Sequence, residues 1–105
     1  MFKMTKINDI EMIQGDTATF IVNVDPYEIN EGDKIVFTVK DLFTKEVNAE
    51  DPVEILPEDT ADKEAGIYLY DAELRTVNGE VYTVLGPRVF ILDGGVSNGS
   101  TDNNS

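Results

Sequence analysis

The sequence predicts an all-β chain, and three observations carry that reading. Short runs alternate apolar with polar residues, and Val, Ile, Thr, Phe and Tyr are frequent in them. Gly, Pro, Asn and Asp separate the runs at short intervals. Nowhere do apolar residues recur at the spacing of an amphipathic helix.

The first run, residues 7–13, stops at Gln14-Gly15-Asp16. In residues 17–24, Ala18, Phe20, Val22 and Val24 share one face, and Asp25-Pro26 closes the strand because proline cannot donate to a ladder. After Asn30-Glu31-Gly32-Asp33, residues 34–40 place Ile35, Phe37 and Val39 on one side and Lys34, Thr38 and Lys40 on the other. Residues 42–47 read as a short extension or a turn carrying Phe43. Residues 53–56 read as a short strand ended by Pro57, and 58–65 as an acidic loop or one turn of helix.

Residues 67–77 return to strand pattern and meet Asn78-Gly79, the strongest hairpin signal in the chain. A two-residue type I′ turn there, with positive φ at both Asn78 and Gly79, pairs Thr76 with Val81, Leu74 with Thr83 and Ala72 with Leu85. It sets Ala72, Leu74, Val81 and Leu85 on an apolar face, with Glu73, Arg75 and Tyr82 opposite. Gly86-Pro87 is expected to break the returning strand, and residues 88–92 form the last one. Beyond Asp93 every apolar periodicity ends, so residues 1–93 are expected to be one domain and 94–105 a flexible polar tail. Six to eight short strands on this plan predict an immunoglobulin-like antiparallel β-sandwich, with a small β-barrel as the alternative. The cysteine pair and core tryptophan of antibody domains are missing.

Composition narrows the function. At 105 residues there is room for one core. Without cysteine or histidine, disulfides, thiolate chemistry, most nucleophile–base pairs and most zinc sites fall away. A net charge of −13 opposes phosphate backbones and anionic membranes, so no nucleic-acid or membrane partner is expected. The first residues lack the apolar stretch of a signal peptide, and no run approaches the roughly 20 apolar residues of a membrane-spanning helix. A soluble protein made in the cytoplasm is expected.

Each candidate chemistry meets a plainer reading. Asp71 and Glu73 share a face as a glycosidase pair would, yet Arg75 extends the row and neutralises it. Glu50-Asp51 and Glu58-Asp59-Asp62-Glu64 offer oxygen ligands for calcium without the alternating loop and central glycine of an EF-hand. Tyr68 and Tyr70 lie in register with Ala72 and Leu74 and belong to the core. Tyr82 faces outward beside Arg75, and these two are the candidate interface. Asn98-Gly99-Ser100 matches a glycosylation sequon. No catalytic, cofactor-binding or metal-binding residue is assigned, and no enzyme is expected.

The order of these features carries a resemblance. Gln14-Gly15-Asp16-Thr17-Ala18-Thr19-Phe20 is followed by Gly32-Asp33-Lys34-Ile35-Val36-Phe37-Thr38-Val39-Lys40. Then come Gly66-Ile67-Tyr68-Leu69-Tyr70-Asp71-Ala72-Glu73-Leu74, the Asn-Gly hairpin and Val89-Phe90-Ile91-Leu92. Over most of residues 7–93 this pattern resembles small β-sandwich proteins of tailed phages and prophages, among them the N-terminal domain of baseplate upper proteins and related tail or neck accessory domains. The resemblance implies a non-enzymatic structural or adaptor protein, incorporated in a virion and assembling through sheet edges and loops with other virion proteins of the baseplate, tail or neck, or with copies of itself. The rival from another class is an extracellular module that binds glycan or calcium.

Overall fold

In a computed structural model, which describes residues 2–4 and 8–94, eight strands and one helical turn follow one another. They are β1 (Lys3–Met4), β2 (Ile10–Ile13), β3 (Ala18–Phe20), β4 (Lys34–Val39), β5 (Phe43–Asn48), β6 (Val53–Ile55), α1 (Pro57–Thr60), β7 (Gly66–Arg75) and β8 (Val81–Asp93). The fold is mostly β, with a curled mixed sheet that forms a half-barrel. That sheet runs β1-β2-β8-β7-β4-β5, and β3 and β6 make a separate two-stranded ladder. The expectation for residue 94 onward concerns Gly94 and a segment that otherwise lies outside the described residues.

The purely antiparallel arrangement is corrected at one ladder. β2 runs parallel to β8, with Ile10 opposite Phe90 and Met12 opposite Leu92. Parallel partners need a long connection, and this one spans nearly the whole domain. The residues predicted to face inward on β4 do so: Ile35, Phe37 and Val39 are buried. They meet Ala72, Leu74 and Tyr70 of β7, Phe90 and Leu92 of β8, Ile10 and Met12 of β2, and Val53 and Ile55 of β6 in one cluster. Burying each such side chain stabilises the fold by about 1.5–3 kcal/mol. Residues 43–48 are a full strand paired along β4, settling the choice between extension and turn.

Two local expectations change. The β7–β8 hairpin has a three-residue loop, Val77-Asn78-Gly79: the Gly79 amide donates to the Thr76 carbonyl, and the Thr76 amide to Glu80. Gly79 has φ +89°, whereas Asn78 is not left-handed. This is a type I turn followed by a left-handed glycine, and the type I′ turn would have needed positive φ at both residues. The extra loop residue moves the register by one, so Arg75 faces Val81 and Leu74 faces Tyr82. Two irregularities between Tyr70 and Glu73 then restore the expected match of Ala72 with Leu85. Gly86-Pro87 does not end the strand; β8 continues through it as an irregular, bulged segment.

α1 is the helical option foreseen after residue 57. Proline at its first position needs no intrahelical donor, and Asp59 Oδ2 accepts the Leu56 amide at 2.7 Å. Lys45 Nζ of β5 reaches the same carboxylate at 2.6 Å. The buried Thr60 hydroxyl accepts the Gly15 amide at 2.9 Å, and Gln14 Nε2 donates to the Lys63 carbonyl. The short helix therefore fastens β5 and the β2–β3 turn to one point.

Tyr70, fully within the core, donates its hydroxyl to the Asn8 carbonyl. Its pKa is pushed up to about 12, by burial first and by Asp9 next, with Arg88 opposing. The folded value stands above the ordinary 10.0, so its contribution to stability is complete below that pH and is lost as pH rises toward 12. A spectrophotometric titration of the four tyrosines should show one, Tyr70, that ionises last. Tyr70→Phe should remove that step and flatten the alkaline fall in stability. If all four titrate together, the burial assigned to Tyr70 is wrong.

Candidate functional site

Three connections meet at one end of the fold, and Asp33 holds them together. Asp33 is 1% exposed although it carries a carboxylate. Its Oδ2 accepts the Asn30 amide at 2.8 Å, and its Oδ1 accepts the Val77 amide at 3.0 Å. Its own carbonyl accepts the Ala49 amide at 2.9 Å. One residue thus ties the β3–β4 connection, the β5–β6 turn and the β7–β8 hairpin. A buried carboxylate persists where hydrogen bonds replace its lost hydration, and two backbone donors do that here. The sequence showed Asp33 only as part of a turn.

On this clamped end sits a concentration of exposed apolar side chains. Tyr27 and Ile29 come from the β3–β4 connection and Val77 from the hairpin loop, while Val81, at the first position of β8, faces outward opposite Arg75. Tyr27 stacks on Tyr82 with ring centroids 4.3 Å apart and planes 18° from parallel. The Tyr82 hydroxyl is pushed above the ordinary tyrosine value, by desolvation first and then by Glu80, whose charge and hydrogen bond both hold the proton on. The rim is acidic, since the three connections carry Asp25, Glu28, Glu31, Glu50, Asp51 and Glu80.

The two residues expected to form an interface are separated by the shifted register. Tyr82 does not share a face with Arg75. It lies opposite Leu74, turns toward the core side and is covered there by Tyr27. Arg75 stays on the outer face, where its Nη2 and Nε bind Glu73 Oε1 at 2.8 and 3.0 Å. Asn78 and Gly79 sit at the hairpin tip, beside Val77.

The other candidates have ordinary partners. Asp71 and Glu73 share the outer face, and the Asp71 pKa is raised by burial first, then by Glu73, with Arg75 opposing. Asp59 is spent on Lys45 and the Leu56 amide. Among the described residues no three His, Cys, Asp or Glu side chains form a group that could hold a metal ion. Tyr68 is half-buried and donates to the Glu64 carbonyl at 2.5 Å. No helix among the described residues is long and apolar enough to cross a membrane. The Asn98 sequon lies outside the described residues.

No protein-family model matches the sequence, and a search of curated proteins finds no match.

Proposed function

We propose that the chain is a non-catalytic, immunoglobulin-like binding module that works as a structural or adaptor subunit, its clamped loop end seating a partner protein. The observation that carries the reading is the convergence of three connections on buried Asp33, at the end that carries exposed Tyr27, Ile29 and Val77 and the stacked Tyr82. Rigid loops with aromatic anchors bind at low entropic cost, and aromatic residues dominate interface energetics. The acidic rim selects a partner with lysine and arginine around an apolar centre.

The fold assignment is finer than an all-β half-barrel and has its own support. The strand order β2-β8-β7-β4-β5, with β3–β6 as the separate ladder, matches a two-sheet immunoglobulin plan. Tyr68, near the start of β7, bonds a carbonyl four residues upstream, as the tyrosine corner of that fold does. Two residues on, where an antibody domain has its second cysteine, stands Tyr70. Phe37 packs between Phe20 and Tyr70, at 5.1 and 5.4 Å, so three aromatic rings fill the place of the disulfide and tryptophan.

The setting we propose is a phage or prophage virion, at the baseplate, tail or neck, on the strength of the strand and turn pattern in residues 7–93. Co-expression with the products of the flanking genes tests both parts. A virion protein should co-purify at fixed stoichiometry, and Tyr27→Ala/Tyr82→Ala should weaken the complex at least about tenfold. Flanking genes without virion functions would overturn the setting. A complex indifferent to both substitutions would overturn the loop end as the site.

A further inference from the structure

The outer face of the six-stranded sheet lies apart from the loop end and differs from the rest of the chain in two respects. The first is apolarity. Tyr70, Ala72 and Leu74 of β7 point into the core, so alternation turns Ile67 and Leu69 outward, where they are 73% and 53% exposed. Their cross-strand neighbours on β8 are Ile91 and Val89. Four aliphatic side chains thus form a block two strands wide and two rows deep. Single exposed aliphatics are ordinary, whereas a contiguous block marks a surface that is covered.

The second is charge. Lys3 extends the Ile67 row through its pairing with Glu11, which lies opposite Ile91. Lys40 follows beside Leu69, to whose carbonyl its amide donates at 2.8 Å. Lys34 and Arg75 close the far end as cross-strand neighbours. Against these four cations the same face carries six carboxylates: Asp9, which accepts the Val89 amide, and Glu11, Glu46, Asp71, Glu73 and Asp93. On a chain with a net charge of −13, this face is close to neutral. Two copies approaching through an acidic surface add local repulsion to that of their net charge; through this one they add little.

We propose that a second copy of this chain docks here, face to face about a two-fold axis, with Ile67 and Leu69 of each copy buried against the partner's aliphatic block. A two-fold contact requires a self-complementary patch, and an apolar block flanked by nearly balanced charges is one. The size suffices. Five strands of 4, 13, 10, 6 and 6 residues, about 3.3 Å per residue and about 4.8 Å apart, offer on the order of 600 Å² per copy, the lower end of what a standard interface buries from each partner. The inference rests on the register and charge of the sheet and does not depend on the loop end.

Analytical ultracentrifugation of the full chain across protein concentration and salt tests it. Dimer should grow with concentration and also with salt, because the remaining charges repel over about 30 Å at 0.01 M ionic strength and only about 8 Å at physiological strength. Ile67→Lys/Leu69→Lys makes the net charge less negative and relieves repulsion. The dimer should nevertheless weaken at least about tenfold, through lost packing. The milder Leu69→Ser should weaken it in the same direction, and Tyr27→Ala/Tyr82→Ala should leave it intact. A wild-type chain that stays monomeric at every salt and concentration overturns the proposal. So does a dimer that falls apart as salt rises, or one of unchanged affinity in a folded double-lysine variant.

Discussion

Gly86→Ala is expected to destabilise the domain by about 3–5 kcal/mol, the largest effect foreseen for any single methyl group in the chain. Gly86 has φ +84°, where a non-glycine residue costs roughly 1–2 kcal/mol by itself. A Cβ there would stand 2.6 Å from the Tyr70 carbonyl oxygen, 3.1 Å from Asp71 Cα and 3.2 Å from the Arg88 amide nitrogen. All three are backbone atoms, so no rotamer change relieves the overlap. The ladder must move at the point where β7 and β8 already shift register. Gly79 supplies the control. Its φ is +89°, yet nothing lies within 4 Å of the position its Cβ would take. Gly79→Ala should therefore cost only about 1 kcal/mol, the conformational part alone. At about 4–8 °C per kcal/mol for a domain of this size, the two variants should melt roughly 10 °C or more apart. Equal losses would mean that the bulge at Gly86 is open rather than crowded.

That glycine shows where the sequence was legible and where it was not. The inward residues of β4 and β6 could be read directly, because alternation with one apolar set leaves a single way to face the core. The stretch from Ile67 to Tyr70 is harder, since Ile67 and Leu69 alternate with Tyr68 and Tyr70 and both sets are apolar. The register with Ala72 and Leu74 places Tyr68 and Tyr70 inward, and the same alternation leaves Ile67 and Leu69 outward. Gly86-Pro87 looked like a terminator because local signals cannot distinguish a break from a bulge inside a long strand. Asn78-Gly79 marked the hairpin correctly but not its loop length, and one residue was enough to turn Tyr82 from the outer face to the core side. The parallel union of β2 with β8 joins residues about eighty positions apart, beyond the reach of any periodicity. Of the loop end, the sequence pattern points to Tyr82 but gives no comparable signal for Tyr27 and Ile29. The signal available for Asp33 was its place just before a strand in an Asn-Glu-Gly-Asp turn, where a side chain commonly bonds nearby amides.

Asp33→Ala should cost about 1–3 kcal/mol, because it takes the acceptors from the part-buried Asn30 and Val77 amides. The distribution of the damage identifies the mechanism. The Ala49 amide bonds the Asp33 main-chain carbonyl, which the substitution keeps. Hydrogen exchange should therefore speed up at Asn30 and Val77 well before it does at Ala49, as local opening separates the β3–β4 connection from the hairpin. Asp33→Asn should fall between the two, since its amide group has one acceptor oxygen for two donors. The Tyr27–Tyr82 stack bridges the same two segments, so loosening the clamp should also weaken the binding proposed for this end. The sheet face, whose register does not pass through the Asp33 side chain, should self-associate as before. If Ala49 exchanges as fast as Asn30 and Val77 in the alanine variant, the substitution has destabilised the whole domain, and Asp33 is not the local clamp of the three connections.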